Sequence, residues 1–216
     1  MVSADMVKDL RNKTGAGMME CKQALTEASG DIGKAEEILR KKGVKTAEKK
    51  SGNVAAEGAV GSYIHMGGKI GVLVEVNSQT DFAAKSEEFQ ELVRDVAMHI
   101  AAANPRWVRR EEVPLDLVNK EKEIAVEVAR KEGKPEKILE KIAEGKVVKF
   151  YEENCLMEQK FVKDPEKTIQ QLLTDKVAKI RENLTIRRFA RFQLGEGIEK
   201  KATDFAAEVA AAAKAN

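Results

Sequence analysis

The spacing of apolar residues changes character along the chain, and each change marks a boundary. Over residues 1–43 the period is helical. Met6, Val7 and Leu10 lie on one short helix, Met18, Cys21, Leu25 and Ala28 on a second, and Ile32, Ala35, Ile38 and Leu39 on a third. Thr14-Gly-Ala-Gly17 breaks the first from the second, Gly30 followed by the capping residue Asp31 breaks the second from the third, and Gly43 is expected to end the third. Residues 44–57 are small, charged and weakly patterned, which predicts a linker.

Alternation then replaces the helical period. Val60, Ser62, Ile64 and Met66 alternate with Gly61, Tyr63 and His65, Gly67-Gly68 offers a tight turn, and Ile70, Val72, Val74 and Val76 follow as the second strand of a hairpin. Thr80-Asp-Phe-Ala83 comes just past that strand. Next is a long amphipathic helix with Phe89, Leu92, Val93, Val96, Ala97 and Ile100 on one face and Ser86, Glu87 and Glu88 at its N-terminal end. Pro105 and Pro114 bracket a connection to helical stretches over 115–132 and 135–153, with Pro135 suited to a first turn. Residues 154–164 read as loop or irregular strand, and Pro165 is expected to open a helix through Ile169, Leu173, Val177 and Ile180. Residues 184–194 read as a last strand, with Leu184, Ile186, Arg188, Ala190 and Phe192 on one face. The predicted architecture is α+β: a three-helix module (1–43), a linker (44–57), a helix-rich core with a small antiparallel sheet (58–197), and an alanine-rich tail (198–216) that can form a helix.

Composition removes whole classes of function. A chain of 216 residues with 43% hydrophobic content can bury a real core. Its charged residues make up 34% but nearly cancel to +2, which suits a solvated helical surface better than a nucleic-acid groove, and 5% aromatic residues leave little for base stacking. Direct nucleic-acid binding is therefore not expected. Cys21 and Cys155 stand far apart with no C-x-x-C spacing, so neither a disulfide framework nor a zinc site is indicated. No apolar run approaches the roughly 20 residues that span a bilayer, and Met-Val-Ser-Ala-Asp lacks the zones of a signal peptide. A cytoplasmic protein without a membrane partner is expected.

Catalytic motifs are missing as well. There is no phosphate-loop G-x-x-x-x-G-K-[ST] and no G-x-S-x-G elbow, and the histidines are His65 and His99 alone, so no enzyme activity, metal or cofactor is expected. His99, inside the long amphipathic helix, reads as structural. On pattern alone Asp81 caps the following helix and Phe82 plugs the seam between sheet and helix. The sharper reading is that an acid beside a bulky aromatic at an element junction acts on a partner. Arg187, Arg188 and Arg191 either bind RNA or guard an edge strand against aggregation.

Three stretches carry a resemblance. They are Val7 to Leu25, centred on Thr14-Gly-Ala-Gly-Met-Met-Glu-Cys-Lys22, then Gly71 to Phe82, ending in Asn77-Ser-Gln-Thr-Asp-Phe82, and Ile186 to Gly197, containing Arg187-Arg-Phe-Ala-Arg191. In this order they resemble the bacterial translation elongation factor Ts family. The resemblance implies a guanine-nucleotide exchange factor for the GTPase elongation factor Tu, with a ubiquitin-associated-like helical module and a dimerization-type α+β core. It also implies roles for residues. Leu10, Met18, Met19 and Lys22 would lie on the module's contact with the GTPase, Thr80, Asp81, Phe82 and Ala83 would disturb its magnesium site, and His65 would contact it from the core. Where many members have Ile-Gly-Glu-Asn, this chain has Ile180-Arg-Glu-Asn183. Only one copy of the strand-hairpin core is present, so a short form of this kind could pair with a second copy to present two surfaces.

Overall fold

The computed structural model describes residues 2–198, and the alanine-rich stretch from Ala202 lies outside the described residues. Three helices open the chain: α1 (Ala4–Thr14), α2 (Met18–Glu27) and α3 (Ile32–Lys50). The starts of α1 and α3 are set by side-chain acceptors, Ser3 taking the Met6 N–H and Asp31 the Lys34 N–H. Gly15 and Gly30 hold the left-handed conformations that end α1 and follow α2. Val7, Leu10, Cys21, Ala24, Leu25, Ala35 and Leu39 form a small core of their own.

The third helix does not stop at Gly43. It runs on to Lys50, through residues expected to be linker, because α3 lies across α8 (Ile169–Ile180) and Gly43 is at the crossing. A Cβ built on Gly43 would stand 3.3 Å from that of Ala178. Glycine serves here as a point of close approach rather than as a helix stop. Ala47, one turn on, packs against the main core. Tertiary contact holds the charged stretch in a helix that its own weak periodicity would not secure.

The main core lies beneath a three-stranded antiparallel sheet, β1 (Glu57–Ile64), β2 (Ile70–Ser78) and β5 (Leu184–Gln193), in the order β1-β2-β5. Gly67 and Gly68 both have positive φ in the turn between β1 and β2. On the inner face Val72, Val74 and Val76 meet Phe89, Leu92, Val96 and Ile100 of α5 (Glu87–Ala103). Gly61 lets α5 approach the sheet, since a Cβ there would fall 2.2 Å from a methyl of Val93.

The last strand departs from simple alternation. Glu75 pairs with Arg188 but Val76 pairs with Ile186, so Arg187 is an extra residue in a bulge. Before it Leu184 and Ile186 point inward; after it Arg188, Ala190 and Phe192 are exposed and the half-buried Phe189 packs on the core. The expected single face from Leu184 to Phe192 is thus split between the two sides of the sheet.

An antiparallel hairpin, α6 (Leu115–Lys131) and α7 (Glu136–Asn154), is rooted on Trp107, Val113, Val118, Val147 and Cys155. A short ribbon follows, β3 (Lys160–Phe161) and β4 (Asp164–Thr168). Pro165 therefore lies within β4 and does not open the helix. In a two-stranded ribbon its missing N–H can face solvent, and Thr168 caps α8 by accepting the Gln171 N–H. His99 is fully buried, with Nε2 3.0 Å from Gln159 Oε1 and Nδ1 accepting the Val162 N–H. Burial lowers its pKa, favouring the neutral ring this pairing needs.

Candidate docking surface

Between β2 and α5 the chain makes one helical turn, α4 (Asp81–Ala84). Its cap is Thr80, whose hydroxyl accepts the Ala83 N–H, and Asp81 is the first helical residue, paired through its carboxylate with Lys85. Ala83 and Ala84 are buried, whereas Phe82 is 88% exposed. Helical side chains step by about 100°, so two consecutive alanines turned inward send the preceding ring outward. The seam that Phe82 was expected to plug is closed by Ala84 and Phe89. Leaving a phenylalanine in water forgoes roughly 1.5–3 kcal/mol of burial, which suits a side chain kept for a partner.

A second apolar patch lies on α2. Met18 and Met19 are 48% and 65% exposed, and Lys22 is exposed one turn on. Leu10 is not on this surface. It is fully buried in the core of the three helices. His65 is exposed at the hairpin tip, its Nδ1 3.3 Å from the Tyr63 hydroxyl. The hairpin separates it from Phe82. Glu57 pairs with Ser78 at the Phe82 end and Ile64 with Gly71 at the other, a span of about 23 Å at the usual rise per residue.

Sequence reasoning missed the residues that connect these places. Arg181, Glu182 and Asn183 follow α8 directly. Arg181 takes a left-handed conformation (φ 63°) to end that helix, and its guanidinium lies 2.7 Å from Glu20. Glu20 in turn accepts the Gly17 N–H at the start of α2. Glu182 accepts both the Thr80 N–H (3.0 Å) and the Thr80 hydroxyl (2.7 Å). Asn183 donates its N–H to Gln79 and its side-chain amide to the Asn53 carbonyl. The one signal in the sequence was Arg181, at a position where the resemblance implies glycine.

The basic strand is committed internally. Hydrogen bonds from Arg187 and then Arg188 hold the Glu75 carboxyl down at about 2, and Arg191 donates to the Ala101 carbonyl. Among the described residues, no group of histidine, cysteine, aspartate and glutamate side chains could hold a metal ion, and no helix is long and apolar enough to cross a membrane.

An exposed aromatic and an exposed methionine patch are joined by one polar segment. The family model described as Elongation factor TS matches residues 2–196. The chain belongs to the elongation factor Ts family. It is 69% identical over 212 residues to Elongation factor Ts of Anaeromyxobacter sp. (strain K), covering 98% of this chain and 97% of that one. Identity to the Geobacter sulfurreducens protein of the same name is 63% over 212 residues, with 98% of each chain covered, and to that of Acetivibrio thermocellus 62% over 209 residues, with 97% of each covered. Membership thus extends over the α2 patch, the Phe82 turn and the segment after α8 together.

Proposed function

We propose that this protein promotes GDP release from elongation factor Tu during translation elongation in the cytoplasm. In this reading it is not an enzyme: it makes and breaks no covalent bond and needs no cofactor. Met18, Met19 and Lys22 dock on the GTPase, His65 adds a contact at the far end of the hairpin, and the Thr80–Ala83 turn disturbs the bound magnesium. The observation that carries the reading is Phe82, a large ring presented to solvent on a turn whose alanines are anchored. Magnesium clamps the nucleotide phosphates of a GTPase, so displacing its ligands speeds nucleotide loss. Lys85 shares the charge of Asp81, which leaves the ring as the principal wedge.

Thermodynamic linkage bounds the energy required. A factor that binds the nucleotide-free GTPase more tightly than the GDP-bound form weakens GDP binding by the same ratio. A ratio of about 10³ corresponds to about 4 kcal/mol, and burying one phenylalanine gives roughly 1.5–3 kcal/mol of it. The rest has to come from further contacts made only with the nucleotide-free GTPase. The test is stopped-flow release of fluorescent GDP from elongation factor Tu at several magnesium concentrations. Acceleration that shrinks when Asp81 and Phe82 are both changed to alanine supports the reading, and no acceleration by the unaltered protein overturns it.

A second copy of this chain is a further partner we propose. The outward face of the sheet carries Val60, Ile64, Leu73 and Phe192, all exposed, on three adjacent strands. Such a face is apolar enough to pair with itself. Sedimentation equilibrium should show a dimer that Leu73→Glu disrupts, and a monomer at every concentration would exclude it.

A further inference from the structure

Phe82 has its direction set for it. With the ring 88% exposed, its orientation depends on the backbone of residues 80–83, and that backbone is gripped from far away in sequence. The Thr80 hydroxyl has one proton to give. Donated to Glu182 Oε1 at 2.7 Å, it leaves a lone pair for the Ala83 N–H at 3.2 Å, so one carboxylate selects the rotamer that caps the turn. The other oxygen, Oε2, takes the Thr80 N–H at 3.0 Å, and Ser78 Oγ donates to the Thr80 carbonyl at 2.9 Å. Every polar group of Thr80 is thereby occupied. These bonds lie at the exposed surface, where water competes for the same groups and the net gain in global stability is small. Their consequence is geometric: they preform the turn.

We propose that Glu182 is a positioning residue for nucleotide exchange. It presents Phe82 already in its working orientation, so that contact with the GTPase is not spent on ordering the turn. Arg181 sits beside it and pins Glu20 at the start of α2, which places the segment under both apolar patches. The proposal rests on the exchange reading given above.

The test is a double-mutant cycle on the maximal rate of GDP release at saturating protein. Glu182→Ala is expected to lower that rate about tenfold, while the half-saturating concentration moves less than about threefold. In a Phe82→Ala background the same change should have no further effect, because the carboxylate acts through the ring. In the free protein, hydrogen exchange at the Ala83 amide should rise in E182A. Glu182→Gln, which can still accept the Thr80 N–H, should recover part of the rate. Should E182A fail to fold, E182Q carries the same cycle, with a loss of about threefold that vanishes without the ring. Equal losses with and without Phe82, or a maximal rate within about twofold of the unaltered protein, overturn the proposal. Those results leave the exchange reading standing, whereas an unaltered protein that does not accelerate release removes both.

Discussion

Gly43 and Ala178 are the contact at which α3 crosses α8, with only 3.3 Å between the alanine Cβ and the place a Cβ on Gly43 would take. The N-terminal helices are attached to the core through this close approach. Gly43→Val would force the helices apart, and overpacking of this kind typically costs about 1–3 kcal/mol. Thermal unfolding should show the loss, and a midpoint equal to that of the unaltered protein would mean the crossing is loose.

Phe82→Ala separates function from folding. An 88% exposed ring contributes little to stability, so the unfolding free energy should stay within about 0.5 kcal/mol. Removing about 2 kcal/mol of partner contact, the scale of an interface hot spot, would slow GDP release about thirtyfold. Exchange unchanged by this substitution would eliminate the wedge.

Met18→Asp with Met19→Asp should act on docking instead. Both side chains are exposed, so the three-helix core should survive. The half-saturating concentration in the release assay is expected to rise by about tenfold or more at nearly constant maximal rate. A fall in maximal rate alone would place these methionines elsewhere in the mechanism.

Arg181→Gly should leave stability unchanged or raise it by about 1 kcal/mol. Relief of a left-handed residue is worth about 1–2 kcal/mol, and the exposed pair with Glu20 that disappears is worth about 0.2–1 kcal/mol. What changes is the hold on α2. A higher half-saturating concentration with an unchanged or slightly raised unfolding midpoint is expected, and a clearly lowered midpoint would show that the ion pair outweighs the backbone relief.

Acid should destabilise the protein through His99. Its folded pKa is lowered by burial below the ordinary 6.5, so the unfolded chain takes up a proton that the native site resists. The neutral ring's contribution is complete above 6.5 and declines as pH falls below it. Glu75, held at about 2 by Arg187 and Arg188, stays ionised through this range; its contribution is present above the usual carboxylate value and is lost only toward pH 2. Unfolding midpoints measured from pH 7.5 to 5 should fall more steeply than those of His99→Gln, which keeps a donor for Gln159. Parallel slopes would assign the acid sensitivity to other groups.

Much of this was legible from local pattern. The helical stripes of residues 1–43, the alternation from Val60 to Val76 and the stripe from Phe89 to Ile100 specified their elements because period alone decides which face can be buried. The resemblance, and no periodicity, implied a role for residues 80–83. Local pattern failed where a neighbour distant in sequence changed the meaning of a residue. Gly43 looks like a helix stop until α8 lies against it, and Pro165 looks like a helix start until a second strand pairs beside it.

The sequence by itself determined the class of fold, the family and the places where apolar side chains recur, since these depend on periodicity and on long specific motifs. Only the tertiary structure decided which apolar residues face water. Leu10 went inward and Phe82 outward, although hydropathy ranks the two alike. It also decided what holds Phe82 there, because Glu182 meets Thr80 across 102 residues of chain. Hydrogen bonds between segments so far apart leave no period in the sequence. They arise only when the fold brings α8 to the end of β2.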